Sequence, residues 1–147
     1  MLFLLAVLAT MVVPPMTQSE LRARADVVVD GTVVAQHSAW VGRRIFTFSV
    51  VVAGTGTSVV SYVVALPGGD VGALSQRVSG APSLALGGRY RMYLGTAEGP
   101  VDDSAAGAGR KSRGVVGFYR GVFLIDPAHN NELVPFDSGG LPLRSMR

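Results

Sequence analysis

Apolar and polar positions alternate with a period of two along most of this chain, the signature of half-buried strands rather than helices. Residues 27–35, VVVDGTVVA, are rich in β-branched side chains and predict a first strand. Asp30-Gly31 has the composition of a hairpin turn, but its flanking arms are too short, so one long, curled strand with a glycine bulge is the better reading. Residues 45–52, IFTFSVVV, set Phe46, Phe48, Val50 and Val52 on one face, with Thr47 and Ser49 on the other. After the turn Gly54-Thr55-Gly56-Thr57, residues 59–66 form a third strand with Val60, Tyr62, Val64 and Leu66 as its core face, paired with the second as a hairpin. Residues 89–94 alternate with Tyr90, Met92 and Leu94 inward and Arg89, Arg91 and Tyr93 outward. A second hairpin is predicted from residues 114–119 and 122–125 on either side of Arg120-Gly121.

Breaks in the alternation supply the rest. Residues 19–25 are a short helix, with Ser19 as cap, Glu20 in the first turn and arginines towards the end. It is too short to stand alone and must dock. Residues 67–88 carry six glycines and two prolines, with Val71, Leu74, Val78, Leu84 and Leu86 as apolar anchors. They form a long structured connection between strands three and four, with one or two helical turns at residues 71–77. Residues 96–113 are small and polar and read as a mobile surface loop. The tail after Asp126, with Pro127, Pro135 and Pro142, is expected to be extended and partly frayed. The fold expected is all-β: a five-stranded OB-like barrel with a short N-terminal helix, since closure removes exposed strand edges. A β-sandwich, with its usual count of about seven strands, fits less well.

Residues 2–13, LFLLAVLATMVV, are an uncharged apolar run ended by Pro14-Pro15. A membrane-spanning helix needs about 20 such residues, whereas a signal peptide needs only about 7–15 followed by small residues. Residues 1–9 are therefore read as a signal peptide cleaved after Ala9, leaving one domain over residues 10–147. The basic n-region is missing, so the true start lies upstream; otherwise the run is no signal and packs as a terminal strand or helix. The expected location is secreted, periplasmic or cell-envelope, with no stable membrane span.

The 147 residues hold no cysteine, which excludes disulfides, thiolate catalysis and Cys-based zinc sites; two histidines exclude a three-histidine metal site within the chain. No cofactor and no metal are expected. With 48% hydrophobic and 16% charged residues, the chain is too apolar for disorder. Its net charge of +3 is scattered, the one dense run being Arg110, Lys111 and Arg113, and an arginine bias is also what a GC-rich genome produces. Nucleic acid is not expected as a partner: export, modest charge and 7% aromatic content weigh against it, although Tyr93 and Tyr119 are conceivable stacking platforms.

Single residues offer few candidates. Gly68-Gly69-Asp70 reads as a turn needing positive φ more readily than as an anion-binding nest. Gly109-Arg110-Lys111-Ser112 fails as a phosphate loop because Arg110 interrupts it and neither flank fits. His37 and His129 read as exposed loop residues rather than ligands or bases. Trp40, the sole tryptophan, reads as a loop residue ahead of Arg43 and Arg44, either a contact anchor or a cover for the barrel end.

The segments ADVVVDGTVV, IFTFSVVVAGTGT, VVSYVVALPGGDVG, SGAPSLALGGRYRMYLG and VVGFYRGVFLI, taken in order, resemble a group of secreted bacterial proteins. Those proteins carry "ADxVVxGxV", "TxxxxxVxxVxKG", "VxVPGGxVG", "GAPxxxxGERxLLFL" and "YxVVGxxxGxF" elements, and the opening strand with its glycine-then-strand element also resembles the netrin-type module of the tissue inhibitors of metalloproteinases, an OB-fold barrel. The resemblance covers roughly residues 21–125. It implies fold and export; the animal inhibitors chelate zinc through an N-terminal cysteine, which this chain lacks. The expected function is a secreted, non-enzymatic, monomeric binding module for an unknown protein partner, an extracellular protease among the candidates. Trp40, Arg43, Arg44, Thr10 and Met11 are the partner-binding residues, the last two within an arm at residues 10–16. A cell-envelope packing domain is the alternative, and a hydrolase with an unrecognised triad ranks third.

Overall fold

The structure, a computed structural model, describes residues 15–143. Thr17 caps α1 (Gln18–Arg24), its hydroxyl accepting from the Glu20 amide at 3.1 Å, two residues earlier than the Ser19 cap expected. Leu21, the helix's buried residue, lies against the turn at Gly117, which docks the helix as its length demands.

The chain then becomes almost wholly β: β1 (Val27–Val41), β2 (Arg44–Ala53), β3 (Val60–Pro67), the short pair β4 (Gly69–Val71) and β5 (Leu74–Gln76), β6 (Arg89–Leu94), the short pair β7 (Val101–Asp102) and β8 (Arg110–Lys111), β9 (Val122–Asp126) and β10 (Glu132–Pro135). Six of these form one antiparallel sheet in the order β10-β9-β6-β1-β2-β3. Its inner face carries the main core, with Val29, Val33, Val51, Val64, Met92, Leu94, Val122 and Leu124 packed together. A second apolar cluster, Phe48, Val50, Val63 and Ala65 with Phe46 beside it, occupies the opposite face of β2 and β3.

Several expectations need correction. The chain is all-β as expected, but its regular ladders form a six-stranded sheet and close no barrel, where a five-stranded OB-like barrel was expected. Residues 113–116 cross the space between β3 and β6 through isolated bridges: Arg113 N–H donates to Val63 O (2.8 Å), Ala65 N–H to Arg113 O (3.0 Å), Gly95 N–H to Gly114 O (2.9 Å) and Val116 N–H to Tyr93 O (2.8 Å). The register shift of β1 falls between Val33 and Ala35, not at Gly31. Gly31 sits in regular register opposite Tyr90, and its role is room: a Cβ there would lie 2.5 Å from Val51 Cγ1.

Residues 71–77 form a strand pair rather than helical turns, because Gly72 turns the chain at φ +58°. The hairpin expected around Arg120-Gly121 is replaced by a 3-10 turn over Phe118–Gly121, entered through Gly117 at φ +70°. The true partner of β9 is β10, inside the tail expected to fray. That tail is anchored by Val134 and Phe136 in the core and by Ser83 N–H donating to Gly140 O (2.8 Å). Residues 96–113, expected as a mobile loop, fold over Asp102 and Ser112, exposed by 1% and 0%. Tyr93, expected outward, is fully buried and meets Phe123 edge-on. No helix among the described residues is long and apolar enough to cross a membrane.

Candidate functional site

Two neighbouring hairpins define one end of the sheet. β1 and β2 are joined by Gly42-Arg43, with Gly42 at φ +61°, the left-handed backbone a two-residue hairpin turn asks of glycine. Trp40 and His37 were expected in a loop; both belong to β1, which continues because residues 35–41 are laddered to β2 as far as Val41 opposite Arg44. Trp40 pairs with Ile45 and is 44% exposed, whereas Ile45 is fully buried. Arg43 and Arg44 are exposed. His37 stacks on Phe48 with ring centroids 6.0 Å apart.

The β4–β5 hairpin lies against β1 and β2 and is fastened to them through Ile45. Gly68 N–H donates to Ile45 O at 2.7 Å, and Ile45 N–H donates to Gln76 Oε1 at 2.8 Å. Those bonds explain the Gly68-Gly69 pair: its backbone has φ of +100° and +135°, and a Cβ on Gly69 would collide with the Thr47 and Ser38 hydroxyls. The pair is a turn and close-approach element. With the Gly68 amide already committed, it is not an anion nest.

Directly inward of Trp40 lies a cleft of about 630 Å³. Opposed residues in an antiparallel ladder share a face, so Trp40/Ile45, Ser38/Thr47 and Gln36/Ser49 form three successive rows on one side. The last two rows floor the cleft; residues 67–70 and 76–84 and the Ser138-Gly139 turn wall it. The floor is cross-tied: Gln36 Nε2 donates to Ser49 Oγ (3.2 Å) and Leu84 O (2.8 Å), and Thr47 Oγ1 donates to Gly68 O (2.8 Å). Since the Thr47 proton is committed, Ser38 must donate across their 2.9 Å contact, leaving the Ser38 lone pairs available. Sequence reasoning missed these floor residues. Their signal was present in Thr47 and Ser49, placed opposite the phenylalanine face but given no role.

The remaining candidates resolve as structure. Arg110 donates to Ser61 O and Oγ and to the Gly107 carbonyl; Arg113 pairs with Asp26 at 2.6 Å and lies 5.8 Å from the Tyr62 ring centroid. The dense basic run is thus no row of three free cations. Ser112, in the segment with a passing likeness to a phosphate loop, is buried and donates to Pro100 O at 2.6 Å. Tyr93 and Tyr119, at 0% and 3% exposure, offer no stacking surface. His129 Nδ1 lies 2.6 Å from Asp126 Oδ2, but no serine side chain bonds His129 among the described residues, and neither histidine lines the cleft. No group of three or more metal-ligating side chains occurs among the described residues. Thr10, Met11 and the segment 1–9 lie outside the described residues.

No protein-family model matches the chain, and no curated protein or solved structure shows significant similarity to it.

Proposed function

We propose that this chain is an exported, monomeric, non-enzymatic binding domain on an OB-like barrel, engaging a protein partner through its paired hairpin tips. One observation carries the reading: Trp40 is 44% exposed on a strand held by ladder bonds on its β2 side, with Arg43 and Arg44 exposed beside it. Tryptophan and arginine are the residue types most enriched where interfaces concentrate their energy, and a rigid strand spares the entropy of ordering a loop. Leu74, on the adjoining hairpin, is also exposed, by 59%.

The OB-like reading is supported by the circuit β1-β2-β3-(113–116)-β6-β1, in which residues 113–116 run parallel to β3 and antiparallel to β6. Export rests on the apolar run at residues 2–13. An extracellular protease is the partner class the sequence resemblance favours, approached without the cysteine chelation of the animal inhibitors.

The test is intact mass and partner identification on protein secreted by the native host, followed by titration of the purified partner. A mature N-terminus at Thr10 with a stoichiometric companion is expected. Trp40→Ala should weaken that pair about 30-fold, the loss of about 2 kcal/mol typical of a hot-spot residue, with an unchanged melting curve. A cell-retained, unprocessed chain without a companion refutes export and partner binding together, and favours the envelope-packing alternative. Unchanged affinity in Trp40→Ala refutes the tip as the site.

A further inference from the structure

We propose that the cleft beneath the hairpins is a second site, separate from the tip, that takes a neutral polyhydroxylated ligand, a saccharide. Its volume of about 630 Å³ lies within the usual range for small-ligand sites. Six hydroxyl-bearing residues line it, Ser38, Thr47, Ser49, Ser79, Ser83 and Ser138, Ser49 being buried beneath the others, and its charged lining residues are one acid, Asp70, and one base, Arg77. An anionic ligand would meet no net positive field there, and a nucleobase would meet no aromatic wall.

The floor discriminates further. It is the face of the β1–β2 ladder and not a strand edge, so a peptide lying on it would meet side chains rather than backbone partners. What projects are the Ser38 and Thr47 hydroxyls and the Gln36 amide, whose protons are spent in internal bonds, so the floor offers acceptor lone pairs to the hydroxyl donors of a sugar. The floor is held in place by its own bonds, through Gln36 to Ser49 and Leu84 and through Thr47 to Gly68. By contrast, the wall hydroxyls of Ser79, Ser83 and Ser138 make no side-chain hydrogen bond among the described residues and are exposed. A fixed floor beneath unengaged walls is the arrangement of a site prepared for a polar occupant.

The experiment titrates the full chain with three probes: an N-acetylglucosamine tetramer, a glucose tetramer and tetraglycine. Backbone amide shifts and the emission of Trp40, one row from the floor, report binding. Saturable shifts at Gln36, Ser49, Ser83 and Gly139 with at least one of the two tetrasaccharides, and not with tetraglycine, are expected. Ser79→Ala and Ser138→Ala, which remove no internal bond, should each weaken that binding about three- to tenfold. No cleft shift with either saccharide at about 10 mM, equal shifts with tetraglycine, or undiminished affinity in both variants would overturn the proposal. Trp40→Ala separates the two sites, since it should spare the cleft shifts while weakening the protein interaction at the tip about 30-fold.

Discussion

Gly69→Ala tests how the candidate site is built. The substitution has two costs. The first is backbone strain, because φ at Gly69 is +135°, a conformation L-residues rarely adopt, worth about 1–3 kcal/mol. The second is steric, because the new Cβ meets the hydroxyls of Thr47 and Ser38. Thr47 must then leave its bonds to Gly68 O and Ser38, each worth about 1 kcal/mol. Together these give a destabilisation of about 4 kcal/mol. Gly72→Ala is the matched control, since Gly72 also has positive φ (+58°) but a Cβ there meets nothing within 4 Å. It should cost only the left-handed strain of about 1.5 kcal/mol. With a urea m-value of about 2 kcal/mol/M, the midpoints should fall by about 2 M and about 0.7 M respectively. The Ile45 and Gly68 amides, whose bonds fasten this hairpin, should lose hydrogen-exchange protection in Gly69→Ala alone. Adding Thr47→Ala to Gly69→Ala should recover part of the loss, a coupling of about 1 kcal/mol. If the two glycine variants shift equally, close approach over the cleft floor is not what selects glycine at position 69.

Two further outcomes follow from the polar groups of β6. Arg91 holds the Asp30 carboxyl below its ordinary pKa, first through a hydrogen bond and then through charge, so the stabilisation is present above the unfolded-state pKa and lost as pH falls through the folded one. The pair is about one-third exposed, so Asp30→Asn should cost only about 0.5 kcal/mol at neutral pH, and the gap from the parent melting temperature should close below about pH 4. A gap independent of pH would refute the ion pair as its source. Tyr93→Phe should be neutral or stabilising by up to about 1 kcal/mol, because the buried Tyr93 hydroxyl has no partner among the described residues. A loss above about 1 kcal/mol in chemical denaturation would mean the hydroxyl is engaged.

Strand identity was legible wherever apolar residues recur at period two: β2, β3 and β6 lie close to their expected places, and so does the helix that caps at Thr17. What failed was the assignment of polar stretches to loops. Gln36, His37 and Ser38 lack the β-branched signature, yet they are strand because β2 supplies their ladder partners. The tail was judged by its prolines, although Pro127 opens a 3-10 turn, where its fixed φ suits the first position, and Pro135 ends β10. Val134 and Phe136 were the better signal there, since both enter the core. Residues 96–113 were judged by composition. Their order depends on Asp102, buried where Gly107 has no side chain to exclude it, and that relation is invisible without the fold.

The site was missed for a related reason. Alternation separates two faces of a strand but does not label them, and β2 has apolar residues on both: Phe48 and Val50 on one, Val51 on the other. Alternation put Phe46, Phe48, Val50 and Val52 on one face and Thr47 and Ser49 on the other without saying what the polar pair meets. The pairing supplies that: Val51 shares its face with Ser49 and Thr47, and that face packs on the main core, while Phe48 and Val50 fill the second cluster. Burying polar side chains is tolerated only where they are satisfied or wetted, and here both conditions hold. Ser49, 1% exposed, accepts from Gln36, while the next row opens into the cleft. Along β2 the inner face therefore passes from Val51 in the dry core, through Ser49 and Thr47, to Ile45 beside Trp40 at the tip. That gradient puts both proposed binding surfaces at the end where β1 and β2 run on past β6, which pairs with β1 only as far as Thr32, while β3 follows β2 to Phe46. A strand pair that extends beyond its core must either present polar groups inward or find something to cover it.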